Sequence, residues 1–211
     1  MKRENIILVG GGMHCESCID VIEQLGTFNI LGIIDKIENK GKTVLGYPII
    51  GTDADLPKYA KECNNFLVTV GQIKDSTIRI KLYNYLKTLN VTLPVIISPQ
   101  AYVSKHANIG EGSIVLHKVV IDVKSKVGVN CIINHMTTLG HNARVDDHCH
   151  ISANCVLGEC HIKQGSFVGG NCWINNGVQI PENTIIGSAS NVTKSIVETG
   201  IYVGNPAKKM N

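Results

Sequence analysis

Two domains in series are predicted by this 211-residue sequence: a small α/β domain with a parallel sheet, then a parallel β-helix. Three observations predict them. Apolar runs alternate with helix-compatible stretches up to residue 98; an aliphatic residue then recurs at every sixth position; and a small or compact side chain follows four residues after most of those. Alternating strands and helices argue a parallel α/β sheet. A six-residue repeat gives one short strand per repeat, and the coils stack into a prism that each repeat alone could not stabilise. The division falls at residues 1–98 and 99–211.

In the first domain, "NIILVGGG" is an apolar strand running into Gly10, Gly11 and Gly12, and a helix-compatible stretch extends from about Cys15 to Leu25. A second strand, "NILGIID", ends at Asp35; "FLVTVG" (66–71) and "PVIIS" (94–98) supply two more, with helices near 53–63 and 75–89. Ligands of such sheets bind at the carboxyl ends of the strands, where Gly10, Gly12, His14 and Asp35 gather. Glycines there let backbone N–H groups approach a phosphate, and an acid ending the second strand can hold a ribose hydroxyl. Cys15 stands where the third glycine of a GxGxxG pattern belongs, so a tight turn without a ligand explains the glycines too. Cys15 and Cys18 have C-x-x-C spacing, but a helix placing Cys18 inward accounts for the pair without redox or zinc chemistry.

In the second domain the aliphatic positions run Val103, Ile109, Val115, Ile121, Val127, Ile133, Leu139, Val145, Ile151 and Leu157. The register slips by one residue and resumes at Ile162, Val168, Ile174, Ile180, Ile186 and Val192. Compact residues such as Ser113, Ser125, Cys131, Cys149, Cys155 and Cys172 occupy the second column, where the chain turns a corner. These cysteines are therefore read as small corner residues rather than as redox or metal groups. The pattern resembles the hexapeptide repeat of left-handed parallel β-helix proteins.

Composition bounds the remaining classes. Hydrophobic residues make up 44% of the chain, enough for a folded core, and the net charge of +3 is spread without a basic patch, which argues against a nucleic-acid partner. No run of eighteen apolar residues exists, and Met1-Lys2-Arg3-Glu4 leads into too short an apolar stretch for a secretory leader. A cytoplasmic protein with no membrane association is expected. Its eight cysteines then read as reduced thiols.

The order "VGGGMH", "ISPQAYVSKHANIGEGSIV", "LGHNARVDDHCHIS", "FVGGNCWIN" and terminal "GIYVGNPAKKM" resembles the PglD/NeuD-type sugar acyltransferases along essentially the whole chain. The resemblance implies a Rossmann-like domain before the left-handed β-helix, a homotrimer, and transfer of an acetyl group from acetyl-CoA to a bacterial sugar. It implies either N-acetylation of a nucleotide-linked 4-amino-4,6-dideoxy sugar or O-acetylation of a sialic-type acid; "VGGGMH" with Asp35 favours the first. By the same resemblance His141 is the catalytic base, and His150 lies near the acetyl group and the acceptor. His14 and Asp35, with Gly10 and Gly12, bind the sugar nucleotide; Gly158, Gly169 and Gly170 lie beside the thioester; and Asn205 and Pro206 touch CoA.

Imidazole suits the role of a base near neutral pH, and direct attack on the thioester needs no acyl-enzyme. A backbone N–H near Gly158, or His150 itself, could stabilise the oxyanion. Asn142 follows His141 where many family members carry Glu or Asp, and an amide can orient an imidazole without offsetting its charge. Three repeats per coil place Glu159 eighteen residues above His141, blurred by the slip; Asp146 and Asp147 are rival partners. His106, His148 and His161 are read as surface residues.

No metal is expected, although His117, His135 and His141 could imitate the histidines of a zinc carbonic anhydrase of the hexapeptide class. His117 and His135, eighteen apart, should stack. A non-catalytic binding protein is the remaining alternative.

Overall fold

The computed structural model describes residues 3–210; Met1 and Lys2, used above in the leader argument, and Asn211 lie outside them. The first domain holds strands β1 (Glu4–Val9), β2 (Phe28–Ile34), β3 (Thr43–Val44), β4 (Tyr47–Gly51) and β5 (Asn65–Val68) in the sheet order β3-β4-β2-β1-β5. Helices α1 (Met13–Leu25), α2 (Leu56–Tyr59) and α3 (Thr77–Thr88) complete it. β1 is central, parallel to both β2 and β5, and Ile6, Ile7, Leu8 and Val9 are all buried, as a strand covered on both faces requires. α1 buries Cys15, Cys18, Ile19 and Ile22, spaced for one helix face, and ends at Gly26 in the left-handed conformation.

Three local expectations change. The hairpin β3–β4 was not foreseen; Leu45 and Gly46 turn it, both with positive φ, as a two-residue hairpin loop demands. The helix near 53–63 is only α2 preceded by a 3₁₀ turn at Asp53–Asp55, closed by a capping box between Thr52 and Asp55. "PVIIS" does not join the α/β sheet. Ile96–Ile97 instead pairs in parallel with Ile114–Val115, as a first rung of the β-helix.

Three parallel ladders form the faces of the prism. The first contains Ile96–Ile97, Ile114–Val115, Ile132–Ile133, His150–Ile151, Phe167–Val168, Ile185–Ile186 and Ile201–Val203, closed by antiparallel Lys208–Lys209. The second runs from Tyr102–Val103 to Asn191–Val192, and the third from Asn108–Ile109 to Gln179–Ile180. Aliphatic residues from Val115 to Val192 form the interior. The compact column does more than save space. Ser113 donates to Gly128 O at 2.8 Å and accepts from Cys131 N at 2.9 Å, while the thiols of Cys131, Cys149, Cys155 and Cys172 donate to carbonyls at 3.0–3.2 Å. Burial pushes the Cys131 thiol up to about 12, so it stays protonated.

The slip is accommodated in one turn. Leu139 pairs with Leu157, eighteen residues on, but Arg144 pairs with His161, seventeen on. Cys160, buried, occupies the shortened corner.

The α/β domain docks on the first face. Ile96, Ile114, Leu116 and Ile132 share one core with α1, and each fully buried isoleucine contributes about 1.5–3 kcal/mol. The next outward residues up that face are His150 and Phe167.

Candidate active site

Two clusters of side chains emerge, at opposite sides of the prism. The first lies where the carboxyl edge of the α/β sheet meets the first face. Gly10 has φ of 113°, and a Cβ there would stand 2.5 Å from the Val70 side chain and 2.8 Å from its backbone nitrogen, so only glycine fits. Gly12, at the start of α1, is open around its Cα. Asp35 ends β2 beside Gly11 and accepts a hydrogen bond from Asn39 Nδ2 at 2.8 Å. A cleft of about 420 Å³ is lined by Gly10, Asp35, Lys36, Thr52, Ile78 and Leu82, with Ile37 and Ile78 exposed at its mouth. Gly10 and Asp35 share this cleft, whereas Gly12 and His14, at the start of α1, do not line it.

His14, in the first turn of α1, has its Nε2 3.5 Å from Cys18 Sγ, and its ring centroid is 6.5 Å from that of His150. Burial, reinforced by Arg79, holds His14 down to about 3. His150 donates its Nδ1–H to Gln72 O at 2.5 Å, packs edge-on against Phe167, and is held to about 4 chiefly by burial. Both imidazoles are therefore neutral at physiological pH. Because Nδ1 carries the proton of neutral His150, Nε2 is a lone-pair acceptor, buried and without a partner among the described residues. His150 cannot then give an N–H to an oxyanion, contrary to that sequence expectation. Gln72 was missed by the sequence reading, although it directly follows the "FLVTVG" strand at the ligand edge of the sheet.

The second cluster sits at the vertex between the second and third faces. His141 and Asn142 occupy the turn between Thr138–Leu139 and Arg144–Val145, and both are exposed. Asn142 Nδ2 lies 3.2 Å from His141 Nδ1. Gly158 stacks over Gly140 at the same vertex, but its N–H already donates to Ile174 O at 2.9 Å. Glu159 is exposed there, and its backbone N–H donates to Asn176 Oδ1. Among the described residues no carboxylate hydrogen-bonds His141. The rival acids are committed elsewhere: Asp146 binds His161 and Arg144 at 2.7 and 2.8 Å, and Asp147 accepts from Val129 N.

Gly169 and Gly170 turn the vertex between the first and second faces. Asn205, in the terminal hairpin, accepts from Asn191 Nδ2 at 3.2 Å, and Pro206 lines a cleft of about 440 Å³ with Tyr202 and the 192–198 segment.

His148 is buried, not at the surface as expected: it lies 3.1 Å from Asn130 Nδ2 and packs edge-on against Tyr83. His117 and His135 do stack, at 5.4 Å. Ser98 and Asp20 engage both ring nitrogens of His117, and His141 stands on another vertex, so the three histidines are not brought together. Among the described residues no helix is long and apolar enough to cross a membrane.

Residues 5–86 match the PglD N-terminal domain, and residues 115–211 match the GMPPB C-terminal domain. A mutant form of perosamine N-acetyltransferase from Caulobacter crescentus, crystallised with CoA and GDP-perosamine, superimposes with a TM-score of 0.92 at 26% identity, over 98% of this chain and 97% of that one. Residues 5–86 thus carry a PglD N-terminal domain, and the whole chain is similar in fold and domain order to sugar acetyltransferases of the PglD/NeuD type. Its architecture is accordingly a Rossmann-like domain followed by a left-handed β-helix. The acetyltransferase domain of PglB from Neisseria gonorrhoeae, in complex with acetyl coenzyme A, matches with a TM-score of 0.69 at 27% identity, over 99% of this chain and 100% of that domain. The bifunctional protein GlmU of Clostridium perfringens is 30% identical over 123 residues, 54% of this chain, and the match spans only 26% of that longer relative.

Proposed function

We propose that this PglD/NeuD-type chain is an acetyl-CoA-dependent N-acetyltransferase that acetylates the 4-amino group of a nucleotide-linked 4-amino-4,6-dideoxy sugar in the cytoplasm. The observation that carries this reading is the full-length likeness to an enzyme crystallised with both CoA and GDP-perosamine. On this reading residues 1–98 hold the sugar nucleotide and residues 99–211 hold acetyl-CoA. The diphosphate lies against the Gly10–Gly12 turn, Asp35 takes a ribose hydroxyl, and Ile37 and Ile78 flank the base.

His141 takes the proton of the acceptor amine as nitrogen attacks the thioester carbonyl; the tetrahedral adduct expels the CoA thiolate, which recovers the proton from the imidazolium. Asn142 orients the imidazole. Gly158, Gly169, Gly170, Asn205 and Pro206 bound the CoA path.

His14 and His150 meet at the seam between the α/β domain and the first face, whereas His141 stands at the vertex opposite that face. One site therefore takes His141 from one protomer and the His14–His150 pair from its neighbour in a homotrimer. Tyr102, Val120 and Trp173, exposed at 60%, 37% and 53% along the second face, supply an apolar surface for that assembly.

The test is thiol release from acetyl-CoA with GDP-, UDP- and dTDP-linked 4-amino-4,6-dideoxy sugars, beside free and CMP-linked sialic acid. Turnover on an aminosugar that collapses in His141→Ala is expected. Turnover on sialic acid alone would move the acceptor to a hydroxyl and overturn the proposal.

A further inference from the structure

Arg79, on α3, is only 1% exposed, and no carboxylate pairs with it among the described residues. A buried cation is costly unless oxygen acceptors replace its hydration. Four do so. Nη1 donates to Val68 O at 3.0 Å and Val70 O at 2.7 Å, and Nη2 donates to Asn130 O at 3.1 Å and Asn130 Oδ1 at 2.7 Å.

Two acceptors belong to the end of β5 and two to a corner of the β-helix, and these are the segments that lead to the contact between Gln72 and His150. Val70 lies two residues before Gln72, whose carbonyl takes the Nδ1–H of His150. Asn130 Nδ2 reaches His148 Nδ1, and His148 lies two residues before His150. The connections close a ring: Arg79, Val70, Gln72, His150, His148, Asn130 and back to Arg79.

We infer that Arg79 is a positioning residue that holds the Gln72 carbonyl against His150 and fixes His150 as the Nδ1–H tautomer, a hydrogen-bond acceptor at Nε2. Resting on the N-acetyltransferase reading, this assigns His150 to receive an N–H or O–H of the incoming acceptor and bars it from donating to the thioester oxygen.

The charge of the guanidinium acts in the same sense as its geometry. It lowers the proton affinity of His14, His148 and His150. The titratable and charged groups that face His150 are His14 on α1, with ring centroids 6.5 Å apart, and Arg79 on α3; His148 lies on the preceding turn.

The inference is tested without relying on turnover, by ¹H–¹⁵N correlation of the imidazole side chains in the full-length protein, with His150 assigned from His150→Gln. Wild type should show a single Nδ1–H tautomer that does not titrate between pH 8 and about 5. Arg79→Gln should show mixed tautomers and a titration shifted upward from that of wild type, with kcat reduced about tenfold or more and KM for acetyl-CoA within about twofold. Should Arg79→Gln fail to fold, Arg79→Lys decides: it keeps the positive charge but not the fork that reaches Val70 and Asn130 together, and His150 should then show mixed tautomers. A folded variant of either kind with a wild-type His150 tautomer and titration overturns the inference. Inactivity of the wild type on every acceptor would sink the N-acetyltransferase reading and leave the spectroscopic result standing.

Discussion

The Nδ1–H of His150 is donated to the carbonyl of Gln72 across the seam between the two domains. The bond ties docking of the α/β domain to a neutral imidazole, and the hydrophobic contact below it, from Ile96 to Ile132 under α1, places the two partners in register.

Acid should therefore loosen the protein before its carboxylates titrate. His150 sits near 4 and His14 near 3 when folded, against about 6.5 for an unfolded imidazole. Between pH 6.5 and 4 the unfolded chain binds more protons than the folded one, so stability falls as pH falls. Each tenfold rise in proton activity costs up to about 1.4 kcal/mol per such histidine. Urea denaturation at pH 7, 5.5 and 4.5 should show this decline, with a shallower one in His150→Gln. Equal slopes would mean that His150 protonates freely in the folded state.

Replacing His141 should separate chemistry from stability. The side chain is exposed and, among the described residues, bonded only to its neighbour, so His141→Ala should stay within about 0.5 kcal/mol of wild type in denaturant while kcat falls about 10²- to 10⁴-fold. Asn142→Asp should raise kcat a few-fold, because a carboxylate beside the imidazole stabilises the imidazolium formed in transfer. Unchanged turnover in His141→Ala would remove it as the base.

Why Asn142 is an amide becomes clear only from the backbone. Its φ is 57°, and Lys118, Lys124, Asn130, Met136, His148 and Asn154 share that left-handed conformation at six-residue intervals, with Gly112, Gly165 and Gly177 in equivalent turns. Asn and Gly adopt it most readily, so an asparagine is at home there without any decay of function. The aliphatic period was legible because every interior position obeys it. The corner column of Asn and Gly was equally periodic, but Lys, Met and His among its members hid it. The inter-domain ring was illegible for another reason: Gln72, Arg79, Asn130 and His150 are distant in sequence, and only docking makes them neighbours. The separation of His141 from His150 by nine residues likewise concealed that half a coil carries the chain from one side of the prism to the other.

Two adjacent glycines should behave differently on substitution. A Cβ on Gly169 would stand 2.5 Å from Ser188 N and 2.9 Å from Ile186 O, backbone of the next coil, so Gly169→Ala should cost about 1–3 kcal/mol. A Cβ on Gly170 meets nothing nearer than Ala153 O at 3.3 Å, so Gly170→Ala should fold nearly as stably as wild type. A raised KM for acetyl-CoA in Gly170→Ala would then report contact with the cofactor rather than damage to the coil. Wild-type KM would place the CoA path elsewhere.

The proposed sharing of the site between protomers has a quantitative signature. Suppose His141→Ala and His150→Ala chains, each inactive alone, are unfolded together and refolded as a one-to-one mixture. In a cyclic trimer each site takes His141 from one chain and His150 from the next, so a site is intact only when a His150→Ala chain supplies its His141 and a His141→Ala chain its His150. Random assembly satisfies both conditions in about one quarter of sites, and about one quarter of wild-type activity should return. Were both histidines drawn from one chain, every site in the mixture would lack one of them and no activity would return. The structure favours the first outcome, because the first face is occupied by the chain's own α/β domain and the vertex carrying His141 is the one that face cannot reach.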